Sequence, residues 1–315
     1  MGLYDFTLYD VIVRNSRLHA DRPAWLEVDD QRALTFAALK TEVDRLAAGL
    51  HHTGLGHGNR IGVLGKNSLE YFLLYGAAAA LGAIVLPINW RLSQQEVLYN
   101  LQDCEPLVVF ADLEYQELVE SLKKELPYVQ RYYNLKSNQG VFLDFDALMQ
   151  TGAEPAPTHV SSDDGLVIIH TAAVAGKPRG ALLSHANLIC ANMQMIHSMR
   201  LTEQDVHLNL LPLFHVGGLF TATAAFHAGA FNINMSRFDA DKAVQLVEEK
   251  KISLLFDFPP ILASILQKAR VDGKNIGSLR AVIGLGTEQD ITQYQQATGG
   301  TYYNLYGQTE TSCIA

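Results

Sequence analysis

Three short stretches carry residues whose types and spacing could do chemistry. The first is HTAAVAGKPRGALLSH, residues 170–185. A buried-strand pattern, GLVIIHT, delivers the chain into a run in which five of the residues from Thr171 to Gly180 are Ala or Gly. That run also holds Lys177, Pro178 and Arg179. Small residues let backbone N–H groups face an anion, and the two cations would offset its charge. A Walker loop needs Gly where Thr171 stands and Ser or Thr where Pro178 stands, so this is not one. The same composition equally suits an ordinary Gly/Pro turn. The second stretch is LPLFHVGGL, 211–219. His215 between an aromatic and two glycines reads as a ring at the edge of a space the backbone can approach, or as a hydrogen-bonded core histidine. The third is TYYNLYGQTETS, 301–312. A strand running to Tyr306-Gly307 would present Gln308, Thr309 and Glu310 beyond its carboxyl end, where parallel sheets hold ligands. Glu310 there suits a magnesium ion, and Tyr306 suits stacking on a base. A polar strand-to-helix loop accounts for the same residues.

The elements that must position these stretches alternate along the chain. LTFAALKTEVDRLAAGL has apolar residues at helical spacing and Gly54 as a stop. RIGVLG reads as a strand, 70–81 as a buried helix and 83–88 as a strand. Ser93 with Glu96 forms a capping-box pattern ahead of the next helix. PLVVFAD is a strand and YQELVESLKKEL a helix. After a Pro/Ala-rich segment, GAEPAPTHVSSDDG, the alternation resumes: strands GLVIIHT, GALLS, HLNLLPLF, SLLFDF, LRAVIGL and TYYNLY, with helices at 185–200, 240–251, 260–269 and 288–297. This predicts an α/β fold of two packed αβ subdomains, 1–160 and 161–315, with mainly parallel sheets flanked by helices.

Bulk properties narrow the function. Hydrophobic residues make up 48% of the 315, enough for a full core. Net charge is −9, from 24 basic and 33 acidic residues, with no basic stripe, which argues against a nucleic-acid partner. Cys104, Cys190 and Cys313 are far apart, so neither a disulfide framework nor a zinc site is expected, and a reducing cytoplasm fits. The start of the sequence lacks a signal-peptide pattern, and Phe6 disfavours myristoylation. Tyr71–Ile88 is uncharged over the length that would suggest a membrane span, but Gly82 divides it into helix and strand, so no transmembrane segment is expected.

Taken together and in this order, the three stretches resemble the AMP-forming acyl-CoA synthetases and related adenylating enzymes. The family's phosphate signature, roughly [YF]-T-S-G-T-T-G-x-P-K-G-V, aligns with His170–Ala181. Its following motifs match LPLFHVGG and YGQTE, and the resemblance extends over nearly the whole chain. It implies that Thr171, Gly176, Lys177, Arg179 and Gly180 surround the ATP β,γ-phosphates. His215 would lie beside the acyl pocket and thiol channel. Gly284, Leu285, Gly286 and Thr287 would line adenine and the acyl site. Tyr306 with Gly307 would meet adenine, Thr309 the α-phosphate, and Glu310 would hold Mg²⁺. The implied reaction joins a hydrophobic carboxylic acid, fatty or aryl, to AMP from ATP, and then to coenzyme A. The apolar stretches FDFPP and HVGGLF favour such an acid over an amino acid.

Three departures qualify the resemblance. Ala172, Ala173, Val174 and Ala175 replace the family's hydroxyls and one glycine, and each lost hydrogen bond to a charged group is worth roughly 1.5–3 kcal/mol. Arg179 stands where the family usually has Lys. The family also continues with a ribose-gripping aspartate, a hinge and a mobile C-terminal domain bearing a lysine that assists adenylation, none of which precedes Ala315 here. The expectation is a ligase piece with little turnover by itself, prone to self-association through exposed sheet edges. The alternative is a degenerate nucleotide- or acyl-binding module without turnover.

Overall fold

The computed structural model describes residues 5–136, 139–150, 158–171 and 178–313. Among these, strands are β1 (Pro23–Glu27), β2 (Ala33–Thr35), β3 (Arg60–Leu64), β4 (Ile84–Ile88), β5 (Val108–Ala111), β6 (Arg131–Asn134), β7 (Gly165–His170), β8 (Gly180–Ser184), β9 (Val206–Asn209), β10 (Phe231–Asn234), β11 (Leu254–Asp257), β12 (Ala281–Gly284) and β13 (Thr301–Asn304). Helices are α1 (Leu8–Leu18), α2 (Phe36–His52), α3 (Leu69–Leu81), α4 (Gln94–Cys104), α5 (Gln116–Leu122), α6 (Asp146–Met149), α7 (His185–Met199), α8 (Val216–His227), α9 (Ala240–Lys250), α10 (Ile261–Asp272) and α11 (Glu288–Thr298). The chain forms two compact αβ units, each with a mainly parallel sheet.

The first unit comprises Met1–Ala20, Phe36–Cys190 and Leu213–His215. Its sheet runs β6-β5-β3-β4-β7-β8, parallel except for β8 against β7. Apart from Glu70 in its first turn, helix α3 is apolar all round, and it is buried nearly all round, as such a helix must be. Ser68 caps its start by accepting from the Tyr71 amide, and left-handed Gly82 ends it. Thirteen residues at ~1.5 Å each reach ~20 Å, short of the ~30 Å of a bilayer core. No helix among the described residues is long and apolar enough to cross a membrane. Helix α4 begins with the expected Ser93–Glu96 capping box and buries Val97 and Leu101 in a core with Leu64, Leu86, Val109 and Leu122.

The second unit comprises Asp21–Thr35, Ala191–Pro212 and Val216–Ala315. Its sheet runs β13-β12-β11-β9-β10-β1-β2, parallel except for β2 against β1. The division expected near residue 160 therefore does not follow the sheets. β1 and β2, well before it, join the seven-stranded sheet, while β7 and β8, after it, complete the six-stranded one. Strand membership is decided by long-range edge pairing, which a change of local composition does not report. Two strands are also shorter than their apolar runs. HLNLLPLF pairs only to Asn209, and TYYNLY only to Asn304.

Candidate functional site

The carboxyl ends of β11, β12 and β13 are neighbours in the second sheet, with Asp257 paired to Gly284 and Gly284 to Asn304. All three strands run the same way, so their exits form one edge, the place where parallel sheets present ligand-binding loops. Gly284 has φ +153°, and a Cβ there would fall inside the Asp257 backbone. Its carbonyl accepts from the Leu305 amide at 2.8 Å, and the Leu285 amide donates to the Asp257 carbonyl at 3.3 Å. A Cβ on Gly286 would stand 2.7 Å from the Tyr302 hydroxyl. Glycine at both positions thus lets three chain exits lie close together.

Beneath these exits lies Asp257, 2% exposed. Its two oxygens accept from the Leu262 amide (3.0 Å) and the Tyr302 hydroxyl (3.1 Å). Desolvation raises its pKa despite those bonds, and Asp290 adds to the rise. Above it, large apolar groups face solvent: Phe258 is 52% exposed, Leu285 46% and Tyr306 83%. Thr309 is buried and Glu310 exposed in a short 3₁₀ turn, Thr309–Thr311, braced by the Gln308 amide donating to the Thr311 hydroxyl. Among the described residues the Glu310 carboxylate makes no ion pair. Thr287 is committed elsewhere: it caps α11, accepting from the Asp290 amide at 3.1 Å. The structure therefore brings Gly284–Thr287 and Tyr306–Glu310 together on one edge.

In the first unit, β7 and β8 pair as far as His170 with Gly180. The Thr171 amide donates to the Arg179 carbonyl at 3.0 Å and closes the base of the loop. That amide is therefore not available to an anion, and the Thr171 hydroxyl leans on the same carbonyl at 3.5 Å. Arg179 and Gly180 are exposed. Gly176, Lys177 and the hydroxyl-poor Ala172–Ala175 lie outside the described residues. His215 is exposed at the surface, yet enough protein flanks its ring that desolvation lowers its pKa and favours the neutral imidazole. The segment leading to it is fixed by the Leu213 amide on Asn67 (2.7 Å) and the Tyr75 hydroxyl on the Leu213 carbonyl (2.9 Å).

The glycines after His215 mark a close approach made by the chain itself. Both lie in the first turn of α8, and a Cβ on Gly218 would meet the carbonyls of Pro212 and Leu211. Val216, Leu219 and Phe220 are buried core residues. Of residues 215–220, 256–260 and 284–287, the exposed ones are His215, Phe258, Pro259, Pro260, Leu285 and Thr287.

Sequence reasoning missed Asp257 and Tyr302, and also Tyr99, Asp103 and His170 around the β7–β8 loop. The signal for Asp257 was a lone carboxylate inside the apolar FDFPP; for the others there was none but distance. Asp103, Cys104 and His170 place possible metal-ligand atoms within 4.8 Å of one another. Arg60 argues against a cation there. Its guanidinium lines the same hollow and donates to the carbonyls of Cys104 (2.6 Å) and Glu105 (3.0 Å). Burial, with Asp103 nearby, also pushes the Cys104 thiol up to about 12.

Comparison with known proteins supplies the remaining findings. A family described as AMP-binding enzyme matches residues 12–315. The chain is 32% identical to an indoleacetate–CoA ligase from Aromatoleum aromaticum over 290 residues, covering 90% of this chain and 57% of that protein. It is 26% identical to a long-chain-fatty-acid–CoA ligase from Thermus thermophilus, covering 98% of this chain and 58% of the relative. It thus spans less than two thirds of the length of these curated relatives. Among solved structures it is similar to a Rhodopseudomonas palustris protein assigned as a long-chain-fatty-acid CoA ligase, with a TM-score of 0.93 and 37% identity, covering all of this chain and 78% of that one.

Proposed function

Because this chain belongs to the AMP-binding enzyme family, we propose that it serves ATP-dependent activation of a hydrophobic carboxylic acid, fatty or aryl, to an acyl adenylate and then to acyl-CoA. The observation that carries this reading is the edge formed by β11, β12 and β13, where Phe258, Leu285 and Tyr306 face solvent above a buried polar brace. An exposed cluster of large apolar side chains marks a surface that something covers. The relatives named for indoleacetate and for long-chain fatty acids support an apolar acid.

In this reading an acid oxygen attacks the α-phosphorus of ATP, the bond to pyrophosphate breaks, and acyl-AMP forms. The thiol sulfur of coenzyme A then attacks the acyl carbon and AMP leaves. Tyr306 supplies a flat face for adenine. Gly284 and Gly286 let backbone approach the nucleotide, and Leu285 and Phe258 offer apolar surface to the acyl group. Thr309 contacts the α-phosphate, while Thr171, Gly176, Lys177, Arg179 and Gly180 attend the β,γ-phosphates. His215, favoured neutral, adjoins the acyl group and thiol. Glu310 fits a hard divalent cation, being an exposed carboxylate outside any ion pair among the described residues. Mg²⁺ held there would offset phosphate charge; the chain's own part is to orient acid and nucleotide.

Titration calorimetry of this chain with ATP, with and without Mg²⁺, tests the reading. Micromolar, Mg²⁺-dependent binding that weakens in Glu310→Gln is expected; no binding at millimolar ATP would sink it. A second reading, binding without turnover, is favoured by Ala172–Ala175 in place of hydroxyls. Acid-dependent ATP–pyrophosphate exchange by the full-length protein separates the two.

A further inference from the structure

One side-chain strut crosses the exits of β11, β12 and β13. Asp257 pairs with Gly284, and two residues earlier on β12 Val282 pairs with Tyr302. Side chains alternate along a strand, so Asp257, Gly284 and Tyr302 stand on one face of the sheet. The Tyr302 hydroxyl donates to an Asp257 carboxylate oxygen at 3.1 Å, although β12 runs between their strands. The way across is open because β12 ends at Gly284, which has no side chain. The other Asp257 oxygen accepts from the Leu262 amide at 3.0 Å, in the first turn of α10. One buried carboxylate thus joins the end of β11, the start of α10 and the far strand β13.

The strut is also a floor. A Cβ on Gly286 would stand 2.7 Å from the Tyr302 hydroxyl oxygen and 2.9 Å from the ring carbon that bears it, so the backbone at Gly286 rests on that group. The Tyr302 ring is backed by the buried Tyr294 ring, edge-on at 6.3 Å between centroids, and the Tyr294 hydroxyl donates to the Leu279 carbonyl at 3.0 Å. Across the turn, the Gly284 carbonyl accepts from the Leu305 amide at 2.8 Å, and Tyr306 follows directly in the chain. Strand pairing does not require the strut, since ladder hydrogen bonds already fix the register. β11 is apolar core through Leu254, Leu255 and Phe256 and turns polar only at its exit. Burying a carboxylate there costs free energy, and the fold alone gives no reason to place it under the loops.

We propose that Asp257 and Tyr302 are positioning residues that hold the Gly284–Gly286 backbone and the Leu305–Tyr306 turn at a fixed separation for a purine base. The proposal rests on the nucleotide reading above and deepens it. A flat ring is gripped only when both neighbouring surfaces lie at contact distance, and surfaces held there beforehand lose less freedom when the ligand arrives. The hydroxyl of Tyr302 sets one surface through Gly286. The Leu305 amide on the Gly284 carbonyl carries the same reference to the other.

AMP is the probe for the test, because it lacks the β,γ-phosphates and reports on this edge. Calorimetry measures AMP affinity in Tyr302→Phe, Asp257→Asn and Asp257→Ala, in the chain as it stands. Hydrogen exchange at the Leu285 and Leu305 amides is followed beside it. Tyr302→Phe removes one oxygen and keeps the ring, so folding is retained even if Asp257→Ala proves unstable. It is expected to exchange about fivefold faster at those two amides, with amides of β9 and β10 unchanged, and to bind AMP about fivefold more weakly. Asp257→Asn can still accept from the Leu262 amide and can donate to the Tyr302 oxygen, so it is expected to keep the AMP affinity of the unsubstituted chain. Unchanged exchange in Tyr302→Phe overturns the strut. Faster exchange with unaltered AMP affinity overturns its positioning role, and so does a loss in Asp257→Asn as large as that in Tyr302→Phe. No AMP binding by the unsubstituted chain at millimolar concentration overturns the nucleotide reading and the positioning role with it, while exchange in Tyr302→Phe still reports whether the strut exists.

Discussion

The edge of β11–β13 and the base of the β7–β8 loop solve the same problem by different means. Each must hold a turn at the end of a strand. The first does so with backbone: parallel neighbours, glycines that let chain exits touch, and a carboxylate bonded to a backbone amide five residues on. The second does so with side chains, Tyr99 on the Pro178 carbonyl and Asp103 on His170, that reach 79 and 67 residues along the sequence. A backbone-built edge tolerates exposed side-chain change and fails when a Cβ is added. A side-chain-built base should loosen by degrees.

The sharpest way to break this contrast is Gly284→Ala. The new Cβ would collide with the Asp257 backbone, and φ of +153° is hostile to a side chain in any case. Because neither partner is a flexible side chain, relaxation must move strands. A loss of about 3 kcal/mol or more is expected in urea denaturation, at the upper end for overpacking with added backbone strain. A loss under about 1 kcal/mol would show that the exits have more room than the contacts imply.

Tyr306→Ala probes the same edge from its exposed side. The ring is 83% exposed, so stability should change by no more than about 0.5 kcal/mol. If the ring is the adenine platform, nucleotide Kd should rise about tenfold, since stacking on one base is worth roughly 1–3 kcal/mol. Calorimetry against ATP and AMP should show equal losses for both. A loss for ATP alone would move the contact from base to polyphosphate.

The contrast also explains what the sequence could and could not reveal. Helix α3 with Gly82, the Ser93–Glu96 box and the strands at 60–64, 84–88, 254–257 and 281–284 are encoded locally, by apolar spacing, caps and stop residues. The turn at 306–310 follows from where a strand pattern stops. The placement of β1 and β2 in the second sheet is not local. Nor is the Tyr99–Pro178 tie, because nothing near Tyr99 names its partner. The surroundings of HVGGLF are hidden for a related reason. Apolar residues at helical spacing beside a histidine suit a core helix equally well, and Leu219 and Phe220 are core. Exposure, which separates the two, is a tertiary property.

The smallest expected effect comes from Asp257→Asn, and its sign is the informative part. Two buried carboxylates in the second unit titrate in opposite directions. Burial pulls Asp205 upward, but Arg280, with N–H groups at 2.8 and 2.6 Å, and Ser253 draw it below its usual range. Asp257 is raised by desolvation and has hydrogen-bond donors but, among the described residues, no cation partner. For a carboxyl raised on folding, the folded state holds the proton more tightly than the unfolded chain does. Its contribution is therefore fully present below the unfolded pKa of about 4 and is lost as pH rises through the higher folded value. Burial thus opposes the ionised form, whose share grows toward neutral pH. Asparagine keeps an acceptor for the Leu262 amide, can donate to the Tyr302 oxygen, and carries no charge. Urea denaturation should find Asp257→Asn the more stable protein near pH 7, with the gap narrowing toward pH 4. A variant less stable than wild type near neutrality would mean that both hydrogen bonds need the full negative charge, and that the edge of β11–β13 rests on side-chain charge as well as on backbone.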